Sequence, residues 1–247
     1  PSLLPGLLQT WRHNFSRGRS DAHLFELGHV FSAEAHIAES SRLGVLLSGL
    51  WYPDWRATRI ACDFWVLKGL VQAILTQRHR GSLQVAPAHY SWSEAAQSAE
   101  LQFDGQPIGM MGQVAASVLR ALDLEAPAWF AECSVEDLVT SQPGPSVVRP
   151  PSAFPQVKRD LSFLVSRTTP FAEVDTLIRE VVADRAERIE LIDLFDKPPT
   201  VPSGKTSLTF TIEYRDPSRV LTADEVDRLH QQLGQRLIER FGAQLRS

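Results

Sequence analysis

Apolar residues along the last hundred positions recur at two alternating spacings, and those spacings lay out a fold. "TSLTFTIEYR" (206–215) alternates strictly, with Leu208, Phe210, Ile212 and Tyr214 on one side and Ser207, Thr209, Thr211 and Glu213 on the other. That is the period-two pattern of a half-buried strand. "PFAEVDTLIREVVAD" (170–184) instead sets Phe171, Val174, Leu177, Ile178, Val181 and Val182 at three- and four-residue steps behind a proline, which predicts an amphipathic helix. "TADEVDRLHQQLGQRLIERFG" (222–242) repeats that stripe through Val226, Leu229, Leu233, Leu237 and Ile238. Thr222 followed three residues later by Glu225 is a capping box, and Gly242 is a stop. "RDLSFLVS" (159–166) and "RIELIDLFD" (188–196) read as short strands, and the terminal "AQLRS" as an edge strand. The order strand, helix, strand, strand, helix, strand predicts a ferredoxin-like βαββαβ domain, two helices on one face of a four-stranded antiparallel sheet.

The upstream part is patterned less regularly. It predicts a leucine-packed helix over 3–17, strands at 23–31 and 42–50, and a helix over 63–75. A hairpin over 99–114 turns on Asp104-Gly105, and a short helix at 116–122 and a strand at 128–135 follow. Helices flanking a mostly antiparallel sheet make an α+β domain. Between the two parts, residues 141–155 hold five prolines and one glycine, the composition of a semi-rigid connector. The expected division is a domain over 1–143, a linker over 144–153 and a second domain over 154–247.

Composition narrows the function classes. At 43% hydrophobic and 22% charged, the 247 residues suit a soluble globular protein with two cores. A formal charge of −4, from 25 basic against 29 acidic residues, excludes a polycation, so any nucleic-acid contact has to come from a local patch. No apolar run approaches the roughly 20 residues that cross a bilayer, and Cys62 and Cys133 fit neither metal spacing nor a disulfide framework. The expected setting is therefore cytoplasmic and away from membranes. The first residue is Pro1, from which the sequence is expected to begin partway through a longer protein.

A search for chemistry leaves little. The chain has no phosphate loop, dinucleotide fingerprint, zinc-protease helix or nucleophile elbow. His23 and His29 share a strand face without a third ligand, Glu26 reads as a structural carboxylate, and both cysteines read as small buried hydrophobes. No catalytic residue, metal site or bound cofactor is expected. What remains is a group of cations near strand ends. Lys158 and Arg159 precede the first strand of the second domain, Arg215 and Arg219 follow the third, and Lys205 starts the third. In a ferredoxin-like sheet those two strands are antiparallel neighbours. Lys158, Arg159, Arg215 and Arg219 then converge on one rim, with Phe154 and Tyr214 nearby and Lys205 toward the other end. Arginines beside aromatics suit phosphate contact and base stacking on single-stranded RNA. Local salt bridges, Arg159 with Asp160 and Arg215 with Asp216, explain the same residues equally well.

These residues also carry a resemblance. "FPQVKRDLSFLV", "LFD", "GKTSL", "YRDPSRVLT" and "RFGAQLR" occur in order over some ninety positions, and they resemble the C-terminal ferredoxin-fold anticodon-binding domain of bacterial phenylalanyl-tRNA synthetases. Upstream, "SLLPGLLQTWRHNFSRG", "HLFELGHVF", "DFWVLKGLVQAIL" and "DGQPIGMMGQV" resemble the class II synthetase-like core of the beta subunit, which keeps the fold without the active site. The resemblance implies the last third or so of a beta subunit. It implies a catalytically silent first domain that scaffolds the alpha subunit, with the helix over 3–17 as the contact, and a second domain that holds the anticodon region of phenylalanine tRNA. It also implies a parent ligase that joins phenylalanine to tRNA with ATP and Mg2+ as an alpha-beta heterotetramer, and a fragment able to self-associate. RNA contact is assigned to Phe154, Lys158, Arg159, Tyr214, Arg215 and Arg219. Ala115-Ala116 departs from the His-Pro of the family pattern. The alternative is a packing module that touches no RNA.

Overall fold

The computed structural model describes residues 1–33, 37–53, 59–76, 83–140 and 154–246, and the chain divides into two compact units, Pro1–Val147 and Val148–Ser247. The stretch read as a linker, 144–153, lies outside the described residues.

The first unit opens with helix α1 (Leu4–Phe15), followed by strands β1 (Ala22–Ala33), β2 (Ile37–Ser48), β3 (Leu50–Pro53) and β4 (Arg59–Ala61). Helix α2 (Phe64–Thr76), strands β5 (Leu83–Pro87), β6 (Ser93–Phe103) and β7 (Gln106–Val114), helix α3 (Ala116–Arg120), strand β8 (Ala128–Ser134) and helix α4 (Val135–Thr140) complete it. Six strands form one antiparallel sheet in the order β1-β2-β8-β7-β6-β5, and β3 pairs with β4 apart from it. Because side chains alternate along β2, Leu46 enters one core with Leu4, Leu7, Leu8 and Trp11 of α1. Its neighbours Val45 and Leu47 enter the other, with Leu67, Val71 and Leu75 of α2. A strand covered on both faces is a continuous apolar run, which is how "GVLLSGL" reads. The expected hairpin is present: Phe103 opposes Gln106, and Asp104 (φ 50°) and Gly105 (φ 77°) both adopt the positive φ of a type I′ turn.

The second unit contains strand β9 (Val157–Ser166), helix α5 (Phe171–Val182), strands β10 (Ala186–Phe195) and β11 (Lys205–Tyr214), helix α6 (Ala223–Phe241) and strand β12 (Gln244–Arg246). Its sheet order, β10-β11-β9-β12, is antiparallel at every pairing. This is the ferredoxin-like arrangement the spacing predicts. Val174, Leu177 and Ile178 of α5, and Val226, Leu233 and Leu237 of α6, pack over Phe163, Leu208, Phe210, Ile212 and Tyr214. The opposite face is polar. There Thr211 donates to Asp160 (2.6 Å) and the Thr209 hydroxyl to that of Ser162 (3.1 Å).

Thr222 and Glu225 form the expected capping box, and Gly242 ends α6 in the left-handed conformation. The chain then folds back as β12 along β9. A Cβ on Gly234 would lie 2.9 Å from Leu245 Cδ1, so the bare backbone of α6 at that point makes room for the returning strand.

Candidate nucleic-acid interface

Strand register decides where the cations go. Val157 opposes Tyr214, Lys158 opposes Glu213 and Arg159 opposes Ile212, so the start of β9 and the end of β11 make one end of the sheet. Lys158, Arg159 and Arg215 share that end, and Arg219 follows in the turn leading into α6. Lys205 opposes Ser166 at the far end, as the antiparallel register requires. Alternation then divides the neighbours. Lys158 lies on the open polar face beside Glu213, while Arg159 lies on the helix side and reaches α6.

Each of the four cations has a carboxylate partner. Lys158 Nζ lies 2.6 Å from Glu213 Oε1, Arg159 Nε 2.9 Å from Asp227 Oδ1, and Arg215 Nη1 3.0 Å from Glu187 Oε2. Arg219 reaches Glu225 Oε1 at 2.8 Å and Asp216 Oδ2 at 3.8 Å. Arg215 also donates to the Gln156 side chain (3.2 Å). The neighbour pairs read from the sequence are therefore corrected. Asp160 takes the Thr211 hydroxyl and Asp216 accepts from Ser218, while the arginines pair across elements.

Hydrogen bonds favour the ionised form of three of the acids, Glu213, Asp216 and Glu225. The Lys158 ammonium lowers the Glu213 pKa, and Ser218 lowers that of Asp216. Arg219, with help from the Thr222 backbone, brings Glu225 down to about 2. Such pairs fix side-chain geometry more than they stabilise. A guanidinium held by one carboxylate keeps N–H donors for a second acceptor, because Arg carries five.

The aromatic expectations separate. Phe154 is half-buried at the approach to β9. Tyr214 is 0% exposed within the core, so the stacking role expected of it is corrected: no ring face reaches solvent. Its hydroxyl instead meets His230 Nδ1 at 3.1 Å, and burial raises its pKa to about 12. Sequence reasoning missed Gln156, Glu187, Asp227 and His230. His230 was detectable, because it stands four after Val226 and three before Leu233, on the inward stripe of α6 where a polar ring needs partners.

The described residues of the first unit offer no comparable cluster. Among the described residues, no group of His, Cys, Asp and Glu has the geometry to hold a metal. Burial raises Cys62 to about 11 and Cys133 to about 12, which keeps both as thiols. Glu26 is exposed. At Ala115-Ala116, Glu94 accepts from the Ala116 N–H (3.1 Å) and caps α3. The leucines of α1 fill its own core, as a leucine-packed helix requires. Uncovered apolar surface lies instead on edge strand β1, where Phe25, Leu27 and Phe31 are 74%, 66% and 59% exposed on the face that α2 occupies farther along the sheet.

With this geometry in view, comparison with known proteins is decisive. Residues 1–135 match the model for the phenylalanyl tRNA synthetase beta chain CLM domain. The chain belongs to the phenylalanyl-tRNA synthetase beta chain family. Residues 152–246 match the ferredoxin-fold anticodon binding domain, the unit that carries the cationic rim. The chain is 34% identical over 252 residues to the phenylalanine–tRNA ligase beta subunit of Moorella thermoacetica, covering 100% of this chain and 31% of that one. It is 30% identical over 250 residues to that of Geobacillus kaustophilus, covering 99% and 31%. It thus spans about a third of the length of the curated relatives it matches, the share implied by the motifs. Among solved structures, a pyrrolysyl tRNA synthetase of Desulfitobacterium hafniense aligns over 62% of this chain and 54% of that one, at a TM-score of 0.42 and 15% identity, a likeness too loose to add weight.

Proposed function

We propose that this chain works as the C-terminal part of the beta subunit of phenylalanine–tRNA ligase, joining phenylalanine to its tRNA with ATP and Mg2+ in a cytoplasmic alpha-beta heterotetramer. The first unit scaffolds the alpha subunit, docking it on the β1 stripe of Phe25, Leu27 and Phe31. The second unit, beyond a proline-rich linker at 144–153, holds the anticodon stem and loop. Lys158, Arg159, Arg215 and Arg219 contact phosphates, Phe154 stacks on a base, and Tyr214 supports the rim from inside. The observation carrying this reading is the gathering of cations from β9, β11 and the following turn at one end of the unit that matches an anticodon-binding domain.

The test is binding of phenylalanine tRNA by the full chain. About four phosphate contacts predict a log–log salt slope near −3 for single-stranded RNA. Replacing Arg159 and Arg215 together by alanine should weaken binding about tenfold or more, since each tenfold step takes about 1.4 kcal/mol. A second reading, a packing module that touches no RNA, is favoured by the carboxylate partner on every rim cation. It expects equal binding by the double variant and the parent chain.

A further inference from the structure

His230 stands half-buried where α6 meets both central strands, and its two ring nitrogens face different partners. Nε2 lies 3.2 Å from the Asp160 main-chain oxygen on β9, and Nδ1 lies 3.1 Å from the Tyr214 hydroxyl on β11. A carbonyl only accepts, so Nε2 carries the proton, Nδ1 keeps its lone pair, and the Tyr214 hydroxyl donates. One neutral imidazole therefore ties a helix to two strands. Three residues earlier on α6, Asp227 holds Arg159. The helix face that carries the imidazole tie also sets the rim guanidinium.

We propose that His230 is a positioning residue for the cationic rim: its neutral ring clamps α6 to β9 and β11, which fixes Asp227 and through it Arg159, and protonation of the ring releases the clamp. This rests on the anticodon reading only for its consequence in RNA binding. The mechanism is one of hydrogen-bond direction. A protonated ring has N–H donors on both sides, and Nδ1–H would point at a buried hydroxyl whose own hydrogen then loses its acceptor. Leaving a buried donor unpaired is unfavourable. The groups around the ring are Arg159 and Asp160 on β9, Asp227 on α6 and Tyr214 on β11. Burial lowers the His230 pKa, the Asp160 carbonyl opposes this, Arg159 lowers it further, and Asp227 and Asp160 raise it. The unfolded chain therefore takes up a proton more readily than the folded one. The stability from His230 is complete above its ordinary value of 6.5 and is lost as pH falls from there through the depressed folded value.

RNA binding gives a sign that charge alone does not. A histidine that merely adds positive charge strengthens tRNA binding as pH falls. A released clamp weakens it. For the full chain, phenylalanine tRNA affinity should fall threefold or more between pH 7.5 and 5.5. It should be flat or rising for Tyr214→Phe, where protonation strands no hydroxyl, and for His230→Gln, which cannot titrate. Nitrogen NMR of the full chain, with the His230 signal assigned by its loss in His230→Gln, should find the proton on Nε2 at neutral pH. The titration should lie below 6.5 in the parent chain and move up in Tyr214→Phe. Affinity rising on acidification in all three proteins, or an identical His230 titration with and without the Tyr214 hydroxyl, would overturn the proposal. Absence of RNA binding at every pH would remove the anticodon reading and the rim role with it, and the NMR comparison alone would then decide whether the clamp exists.

Discussion

At the scale of single residues, the rim is an exercise in pairing. Glu225 accepts from Arg219 and from Thr222 while closing the N-terminus of α6, so one carboxylate serves a cap and an ion pair. Thr222→Ala should cost about 1 kcal/mol of stability, the usual value of a lost cap, read from urea unfolding. Because the folded Glu225 pKa lies near 2 against an ordinary 4.5, its contribution is complete above 4.5 and disappears as pH falls through 2. An acid titration followed by helix signal should show the parent chain losing stability in that window and Glu225→Gln losing less. Some of this was legible. The capping box and the inward row of Tyr214 with Phe210 and Ile212 stand in the local pattern, and that row already argued against an outward stacking ring. The ion-pair partners were not legible. Asp227 lies 68 positions from Arg159 and Glu187 lies 28 from Arg215, so local spacing pointed to Asp160 and Asp216 instead.

At the scale of elements, periodicity served well wherever it was unbroken. The helices at 63–75, 170–184 and 222–242, and the strand at 206–215, appear with small shifts at their ends. Strand β6 shows why periodicity failed elsewhere. Its pairing with β7 slips between Ser93 and Ser98, and Ala96 takes a φ of 57°. The bulge destroys alternation across "SEAAQS", and the sequence reading began the strand only at residue 99. Strands β3, β4 and β5 are three to five residues long, too short for a period to show. Two element-level tests follow from packing. Leu67 of α2 is fully buried, and Leu67→Ala should cost about 2–5 kcal/mol, the range for large core deletions. Gly105→Ala puts a side chain where φ is 77°, and should cost more than the roughly 0.4–1 kcal/mol that such a swap gains at a compatible site. Thermal unfolding monitored by tryptophan fluorescence would measure both.

At the scale of the whole molecule, each unit has its own core, and the first leaves a stripe of apolar surface bare. Phe25, Leu27 and Phe31 stand on one face of an edge strand, an arrangement that invites a partner. If that stripe docks the alpha subunit, the chain alone should associate with itself through it. Sedimentation velocity should give a concentration-dependent sedimentation coefficient for the parent chain, and Phe25→Ser with Leu27→Glu should abolish the dependence without lowering the melting temperature. Survival of the dependence in the variant would place self-association elsewhere. The partner contact expected of the helix over 3–17 comes from the resemblance, not from its leucine row, which the spacing already reads as packing. Only the pairing of β1 with β2 reveals which row is left over.

The returning strand β12 has a practical consequence. Three residues, Gln244 to Arg246, cover part of the flank of central strand β9, pinned by Leu245 against Gly234 and by Arg246 against the Ser207 hydroxyl at 3.2 Å. Deleting Gln244–Arg246 would uncover a sticky margin of the sheet, and a preparation of that variant should turn cloudy well before its helices melt.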